Sequence, residues 1–383
     1  MKTKTIILTL IILNCIFIVR AQDSFQEDVN IRPFQFTFLF PPLSTNGANC
    51  SNTVSNFSLN PLVGYTGGTD GCELAGLINM NRHFVKGLQI SGFGNFVNGR
   101  TDGCQIAGFS NINGDNVIGV HIAGFANIVS DTASGFQCAG FTNVNRVGND
   151  LVGIAGFANI SPDGLSETQV AGFVNVADGV DGVQIAGFAN IARDVKGIQV
   201  SGFVNVNDTI TGIPIGIINI SKTNGYRKWE VSADEVCYLN VSFKLGIPWF
   251  YNVFTLSKPA GDPGRILYGG GLGSEDEWGE KWLFNFEASV HQELWINDNN
   301  APRFLYTDRL NMISRIRASF GYRVDDRLTV FIGPSLNVRT ATLAPYHLGI
   351  GDDLEPYWGD NNQHYYRNTK VSIWPGFNAG IVF

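Results

Sequence analysis

Between residues 71 and 220, apolar and polar side chains alternate in blocks that restart ten times from one phrase, G-x-Q-I-A-G-F-x-N-ϕ, where ϕ is apolar. In the copy Ile198 to Val206, one set of alternate positions is Ile198, Val200, Gly202, Val204 and Val206. The other set is Gln199, Ser201, Phe203 and Asn205. A period of two with β-branched residues on one face predicts strands, and no helical spacing competes with it. Segments such as Arg193-Asp194-Val195-Lys196 and Asn207-Asp208-Thr209 supply the turns.

The register is fixed by the glycine before the aromatic: Gly76, Gly92, Gly108, Gly124, Gly140, Gly156, Gly172, Gly187, Gly202 and Gly216. Six steps are 16 residues, followed by 15, 15 and 14. Three residues after each glycine stands an asparagine: Asn79, Asn95, Asn111, Asn127, Asn143, Asn159, Asn175, Asn190, Asn205 and Asn219. The residue after the glycine is Phe93, Phe109, Phe125, Phe141, Phe157, Phe173, Phe188 or Phe203 in eight copies, with Leu77 and Ile217 in the outermost two. Atypical end copies are expected of a stacked repeat.

Two architectures fit a unit of this length. In a parallel β-solenoid each copy is one coil, and like residues stack at roughly 4.7 to 4.9 Å, giving an asparagine ladder beside a phenylalanine stack. Ten coils would then extend roughly 45 Å. In an antiparallel transmembrane barrel each copy is one strand of roughly 10 residues, and alternate copies should resemble each other at a period of about 32 because the two rims face different compartments. The connectors show no such alternation, and the copies carry no Trp or Tyr girdle, so the solenoid is favoured. Gly153-Ile154-Ala155-Gly156 and Gly212-Ile213-Pro214-Ile215-Gly216 each read as one residue short, and Ser161 to Thr168 is irregular. A kink is expected there.

After Ser221 the repeat stops and six or seven longer alternating strands follow. Leu283 to Ile296 sets Phe284, Phe286, Ala288, Val290, Leu294 and Ile296 against Asn285, Glu287, Ser289, His291 and Glu293. Leu310 to Arg323, Leu328 to Arg339 around an Asp325-Asp326 turn, and Val371 to Phe383 read the same way. Val236 to Gly246, Trp249 to Leu256 and Ile266 to Gly273 are further candidates. Strands of 11 to 15 residues with one apolar face, ending on Phe383, predict an outer-membrane barrel. Phe383 would be its assembly signal. Glu287, Glu293, Arg315, Arg317 and Arg339 would then pair inside a narrow lumen and plug it. Seven strands is an odd number, so Phe34 to Phe40 or Phe57 to Gly64 is a candidate to complete the barrel. A soluble sheet with one wet face remains the alternative.

The expected fold is therefore all-β. A signal peptide (1–21) and N-terminal strands (22–70) precede the ten repeats (71–220) and an antiparallel barrel-like module (221–383), one large transmembrane barrel being the alternative. Lys2, Lys4, the run Ile6 to Leu13 and Val19-Arg20-Ala21 form the secretory signal. A lipoprotein reading of Cys15 is disfavoured because Asn14 precedes it. A net charge of -7 argues against a nucleic-acid partner. Removal of the signal leaves five cysteines, Cys50, Cys72, Cys104, Cys138 and Cys237, an odd number. Cys72 and Cys104 sit two coils apart, too far for a disulfide, and read as small buried apolar residues.

The chemistry of a catalytic site is missing. His83, His121, His291, His347 and His364 are scattered, and His121 stands at the repeat glutamine. No Cys or His cluster points to a metal and no cofactor is implied. Asp352, Asp353, Glu355, Asp360 and His364, with Tyr357, Trp358, Tyr365 and Tyr366, read as a solvated loop, as does Glu275-Asp276-Glu277. Gly269 to Gly273 lacks the Lys-Ser/Thr of a phosphate loop and instead thins a strand beside a bulky neighbour. A carbohydrate-active β-helix would need paired carboxylates on one coil face, and acids such as Asp178, Asp181 and Asp194 sit in turns.

The tandem G-x-Q-I-A-G-F-x-N units, preceded by Phe57 to Tyr65 and followed by Gly333 to Val338, resemble the surface-repeat proteins of Gram-negative bacteria of the spirochaete and Bacteroidetes type. The resemblance implies export to the cell envelope and no assigned enzymatic activity. The expected protein is a non-enzymatic structural or interaction protein, adhesin-like or scaffold, at the outer membrane or cell surface, whose regular repeat face meets a protein or polysaccharide ligand. A periplasmic location is the alternative place. An outer-membrane channel is the alternative role.

Overall fold

The computed structural model describes residues 30–39, 43–260, 264–295, 311–342, 363–366 and 369–383. The leader expected over Met1 to Ala21 and the loop around Asp352, Asp353, Glu355 and Asp360 lie outside the described residues. The chain divides into two compact units, the first reaching Phe203 and the second starting at Val204.

In the first unit every repeat is one coil paired in parallel with the next. Asn127 lies opposite Asn111 on one side and Asn143 on the other, and Ala139 lies between Ala123 and Ala155. This is the solenoid, and its parallel register excludes the reading in which repeats are antiparallel barrel strands. A representative coil runs through Gly94–Val97, a turn, Arg100–Ala107 and a bend at Gly108-Phe109 into Ser110–Asn113. The glycine column has a steric cause at that bend. A Cβ on Gly108 would lie 2.0 Å from the carbonyl oxygen of Gly92, one coil back. At Gly103 the backbone also turns through φ +144, and a Cβ would meet Gly87 O at 2.0 Å.

The bend corrects one expectation. Simple alternation puts Phe203 on the face of Gln199 and Asn205, but the Gly202-Phe203 corner breaks the alternation. The glutamines and asparagines point inward and are buried, whereas Phe93 to Phe203 project outward at 40–45% exposure. An alanine column (Ala107, Ala123, Ala139, Ala155, Ala171, Ala186) lines the inside of the corner, and Val117, Val129, Ala133 and Leu151 cluster toward the turn edge.

The stack also starts before the repeat phrase does. Asn30–Leu39 pairs in parallel with Thr53–Asn60, which pairs with Val63–Ala75. Phe34 to Leu39 and Phe57 to Gly64 therefore belong to the solenoid, and neither completes the barrel. The irregular copies are absorbed as register shifts between Asn149 and Val152 and between Ser161 and Thr168. Gly153 is not a deletion but occupies the glutamine slot between Gln137 and Gln169. No kink interrupts the phenylalanine rings there, which keep spacings of 4.9 Å and 5.0 Å from Phe141 through Phe157 to Phe173.

The second unit carries the last repeat strands, with Val204–Asn207 parallel to Ile218–Ser221. It then closes an antiparallel barrel of eight strands. These are Tyr226–Asp234, Cys237–Ile247, Phe250–Pro259, Arg265–Trp278, Trp282–Trp295, Asn311–Arg323, Thr329–Thr342 and Thr369–Val382. Thr369–Val382 pairs with Tyr226–Asp234 to close it, and a short strand, Gln363–Tyr366, pairs with Thr369–Val382. The strand that the sequence reading lacked is Tyr226–Asp234, whose Trp229 and Val231 point out while Glu230 and Ser232 are buried.

Candidate functional site

Two polar constructions run through the molecule. The first is the ladder inside the coils. Asn79 Nδ2 donates to Asn95 Oδ1 at 3.0 Å, and the same bond recurs from Asn95 to Asn111, Asn111 to Asn127 and Asn127 to Asn143 at 2.9 Å each. It continues from Asn143 to Asn159 at 2.8 Å, to Asn175 at 2.9 Å and to Asn190 at 3.0 Å. In the second unit Asn205 donates to Asn219 at 2.8 Å. The other amide hydrogen reaches a carbonyl on the far arm of the coil, as in Asn95 Nδ2 to Ile106 O at 3.0 Å. Both donors are thus used without water, which makes a buried amide tolerable. The ladder begins one rung earlier than the phrase, because Asn60 Nδ2 donates to Asn79 Oδ1 at 2.9 Å.

Beside it runs a column led by glutamine. Gln105 donates to Gln89 at 2.6 Å, Gln184 to Gln169 at 2.9 Å and Gln199 to Gln184 at 2.8 Å. Two titratable residues occupy this column. Glu73, fully buried, accepts from Asn60, Thr69, Asn81 and Gln89 at 2.9–3.0 Å. Burial outweighs those four donors and pushes its carboxyl above the usual range. His121 pairs in register with Gln105 and Gln137, yet neither ring nitrogen finds a partner. Burial pulls its pKa down to about 4. The histidine is a member of the column by position but breaks its hydrogen-bond chain.

Outside, the eight phenylalanines stack with centroids 4.9–5.3 Å apart and ring planes within 13° of parallel. The expected asparagine and phenylalanine columns are both present but on opposite sides of the coil wall. All five cysteines after residue 21 are free thiols.

The second construction fills the barrel. Lys244 Nζ lies 2.6 Å from Glu230 Oε2 and 2.6 Å from Glu287 Oε1. Arg317 makes a bidentate pair with Glu230 at 2.7 Å for both contacts, and its Nε reaches Glu287 Oε2 at 2.9 Å. Tyr251 OH donates to Glu287 Oε1 at 2.8 Å. Arg315 pairs with Asp234 and donates to Asn337 at 2.8 Å. Arg265 Nε lies 2.8 Å from Glu293 Oε1, and Arg339 donates to Asn311 at 2.9 Å. The space left beside the quartet is about 20 Å³, lined by Glu230, Lys244, Arg317, Asn285 and Ser319, room for one water.

Glu287, Glu293, Arg315, Arg317 and Arg339 are therefore inside the barrel as expected. Their partners Glu230, Asp234 and Lys244 escaped the sequence reading, although Asn240, Ser242 and Lys244 alternate with Val241, Phe243 and Leu245. Glu275 is also corrected. It lies in the strand Arg265–Trp278 and accepts from Tyr226 OH at 2.6 Å and pairs with Lys228 at 2.7 Å. Gly273 makes room for a ring, since a Cβ there would lie 2.4 Å from Tyr251.

No family model matches the chain, and neither a curated protein nor a solved structure shows significant similarity to it.

Proposed function

We propose that this chain is a non-enzymatic protein of the cell envelope, in which the eight-stranded barrel anchors a rigid repeat scaffold in the outer membrane. The observation that carries the reading is the polarity of the barrel. Phe284, Phe286, Val290, Ile316, Phe320, Ile332, Leu336 and Phe377 are 38–63% exposed on its outside. Six charged side chains of the barrel strands, Glu230, Lys244, Glu287, Glu293, Arg315 and Arg317, are at most 8% exposed within. Water rewards the reverse arrangement and lipid rewards this one. The two rims also differ. Trp249, Trp278, Trp282 and Tyr322 are exposed at the rim with the short turns, while at the opposite rim the strand ends Trp295 and Asn311 are separated by 15 residues of sequence and Thr342 and Thr369 by 26. An aromatic girdle and unequal loops are the habit of outer-membrane barrels.

The filled lumen favours an anchor over a channel, since a path for ions would have to dismantle the Glu230–Lys244–Glu287–Arg317 quartet. The charged turn edge of the repeats is the polar surface available to a protein or polysaccharide ligand, the adhesin-like role that the repeat phrase suggested. The test is fractionation and electrophysiology on the full chain. Recovery with outer membrane and no unitary conductance in planar bilayers is the expected result. Recovery as a soluble periplasmic protein would reject the anchor, and steady conductance would replace it with a channel.

A further inference from the structure

The coils of the first unit are inside out for a protein in water. Asparagine and glutamine columns run through the interior beside the alanine column and the turn-edge Val and Leu residues, and from Gly92 to Gly202 the outward rows four and two residues before each repeat glycine, and one and four after it, are apolar except at Thr168. Around one coil these are Val120, Ile122, Phe125 and Ile128, and the rows contain no charge from Met80 to Phe203. Every Lys, Arg, Asp and Glu in that stretch lies five to ten residues before a repeat glycine, on the turn edge. There the charges pair along the stack, as in Arg146–Asp131 at 2.6 Å and Lys196–Asp181 at 2.9 Å. The coil is thus amphipathic around its circumference, with a charged edge and an apolar ridge.

We infer that this ridge lies in the lipid bilayer, so that the repeat stack is itself a membrane-embedded wedge; the inference rests on the barrel being a membrane anchor. Seven ring spacings make a ridge of roughly 35 Å. With nine residues of outward contour at about 3.3 Å each, the apolar face covers roughly 1,000 Å², beyond the few hundred Å² a soluble monomer exposes.

Three observations select lipid as the occupant. The backbone of the corner is bonded from coil to coil, with Phe109 N to Phe93 O and Phe125 N to Phe109 O both at 2.8 Å, so the ridge presents no unmet donor there. Hydrocarbon requires that, whereas a protein interface of this area would use several hydrogen bonds. The ridge is also convex, being the bend between two arms of each coil. A second copy placed ridge to ridge would cover the phenylalanines and leave both flanks wet, while acyl chains wrap both. Finally, the charged edge is on the far side from the phenylalanines, the distribution of an element lying in the interface.

The test uses the full chain in phosphatidylethanolamine and phosphatidylglycerol vesicles containing a phospholipid with a photoactivated diazirine in its acyl chain. After irradiation, labelled residues are mapped by mass spectrometry. Ile122, Phe125, Ile128 and Phe141 should be labelled within about threefold of Phe284 and Ile316 of the barrel, and the turns around Asp131 and Arg146 about tenfold less. Phe125→Glu with Phe141→Glu should remove repeat labelling and leave barrel labelling unchanged. Label on the barrel with none on the repeats overturns the wedge while sparing the anchor. If that pattern comes with a cross-linked dimer abolished by the same substitutions, self-association takes its place. Label on neither unit overturns both readings.

Discussion

Trp229 and Phe383 exchange two backbone hydrogen bonds, Trp229 N to Phe383 O at 2.8 Å and Phe383 N to Trp229 O at 2.9 Å, across the seam where the last barrel strand meets the first. The pairing continues the register of Glu230 with Val382 and Val231 with Ile381. What Phe383 contributes at the seam is therefore two main-chain groups, while its ring is 53% exposed on the outside.

Deleting Phe383 leaves the Trp229 N–H and C=O without their partners at the seam, a loss of about 1–3 kcal/mol per group in the proposed bilayer setting. Phe383→Ala keeps both bonds and removes only the ring. Heat-modifiable mobility on gels should show a clear drop in folded barrel for the deletion and a smaller one for the alanine variant. Equal loss in both would mean that the ring, through assembly, matters more than the seam.

The lumen quartet makes a different prediction. Arg317→Met leaves Glu230 and Glu287 buried beside a single cation, Lys244, and breaking a buried pair in this way costs about 3–5 kcal/mol. Adding Glu230→Gln, at the bidentate partner of Arg317, leaves one cation, Lys244, against one carboxylate, Glu287, and should recover a good part of that loss. Guanidinium midpoints in detergent for the single and the double variant decide it. A double variant no better than the single one would show that the quartet is held by packing and not by charge balance.

In the coils, Asn143→Ala strands the Asn127 donor, the Asn159 acceptor and the Ile154 carbonyl at once. With roughly 1–3 kcal/mol per buried unsatisfied group, the cost should exceed that of Phe141→Ala, whose ring is largely exposed and loses mainly stacking of about 0.5–1.5 kcal/mol per neighbour. Thermal melting of both variants gives the order, and a larger effect at Phe141 would contradict the ladder as the main internal tie.

Much of this architecture was legible in the chain. The unbroken Asn column and the lack of a 32-residue alternation sufficed to choose parallel coils, because like residues align only when neighbouring copies run the same way. The facing of Phe109 was not legible, since the corner at Gly108 resets the alternation and its cause, the Gly92 carbonyl 2.0 Å from a would-be Cβ, exists only once coils are stacked. Glu287, Glu293, Arg315, Arg317 and Arg339 could be read from alternation alone. Glu230 was missed because Tyr226–Asp234 is only 9 residues long and follows directly on the irregular end of the repeat. Asn60 joined the ladder from a copy that lacks the phrase, so no sequence pattern announced it.

His121 and Glu73 give the repeat stack opposing pH responses. His121 has its pKa lowered from 6.5 to about 4. Below pH 6.5 the unfolded chain takes up a proton that the folded coil refuses, so the stability tied to neutral His121 is complete above 6.5 and is lost as pH falls toward 4. Glu73 is shifted the other way, above its ordinary 4.5. Its folded form keeps the proton longer than the unfolded chain, so its contribution is greatest below 4.5 and declines as pH rises from there to the raised folded value. His121→Gln should flatten the acid side, gaining about 2 kcal/mol over the wild type between pH 6.5 and 5 at about 1.4 kcal/mol per unit. It also restores a side chain able to bond Gln105 and Gln137. Glu73→Gln should remove the decline above pH 4.5, whatever it does to stability overall. Guanidinium midpoints at pH 5, 6, 7 and 8 for the three proteins resolve the two slopes. A His121→Gln midpoint that still falls below pH 6.5 in parallel with the wild type would assign the acid response to another group.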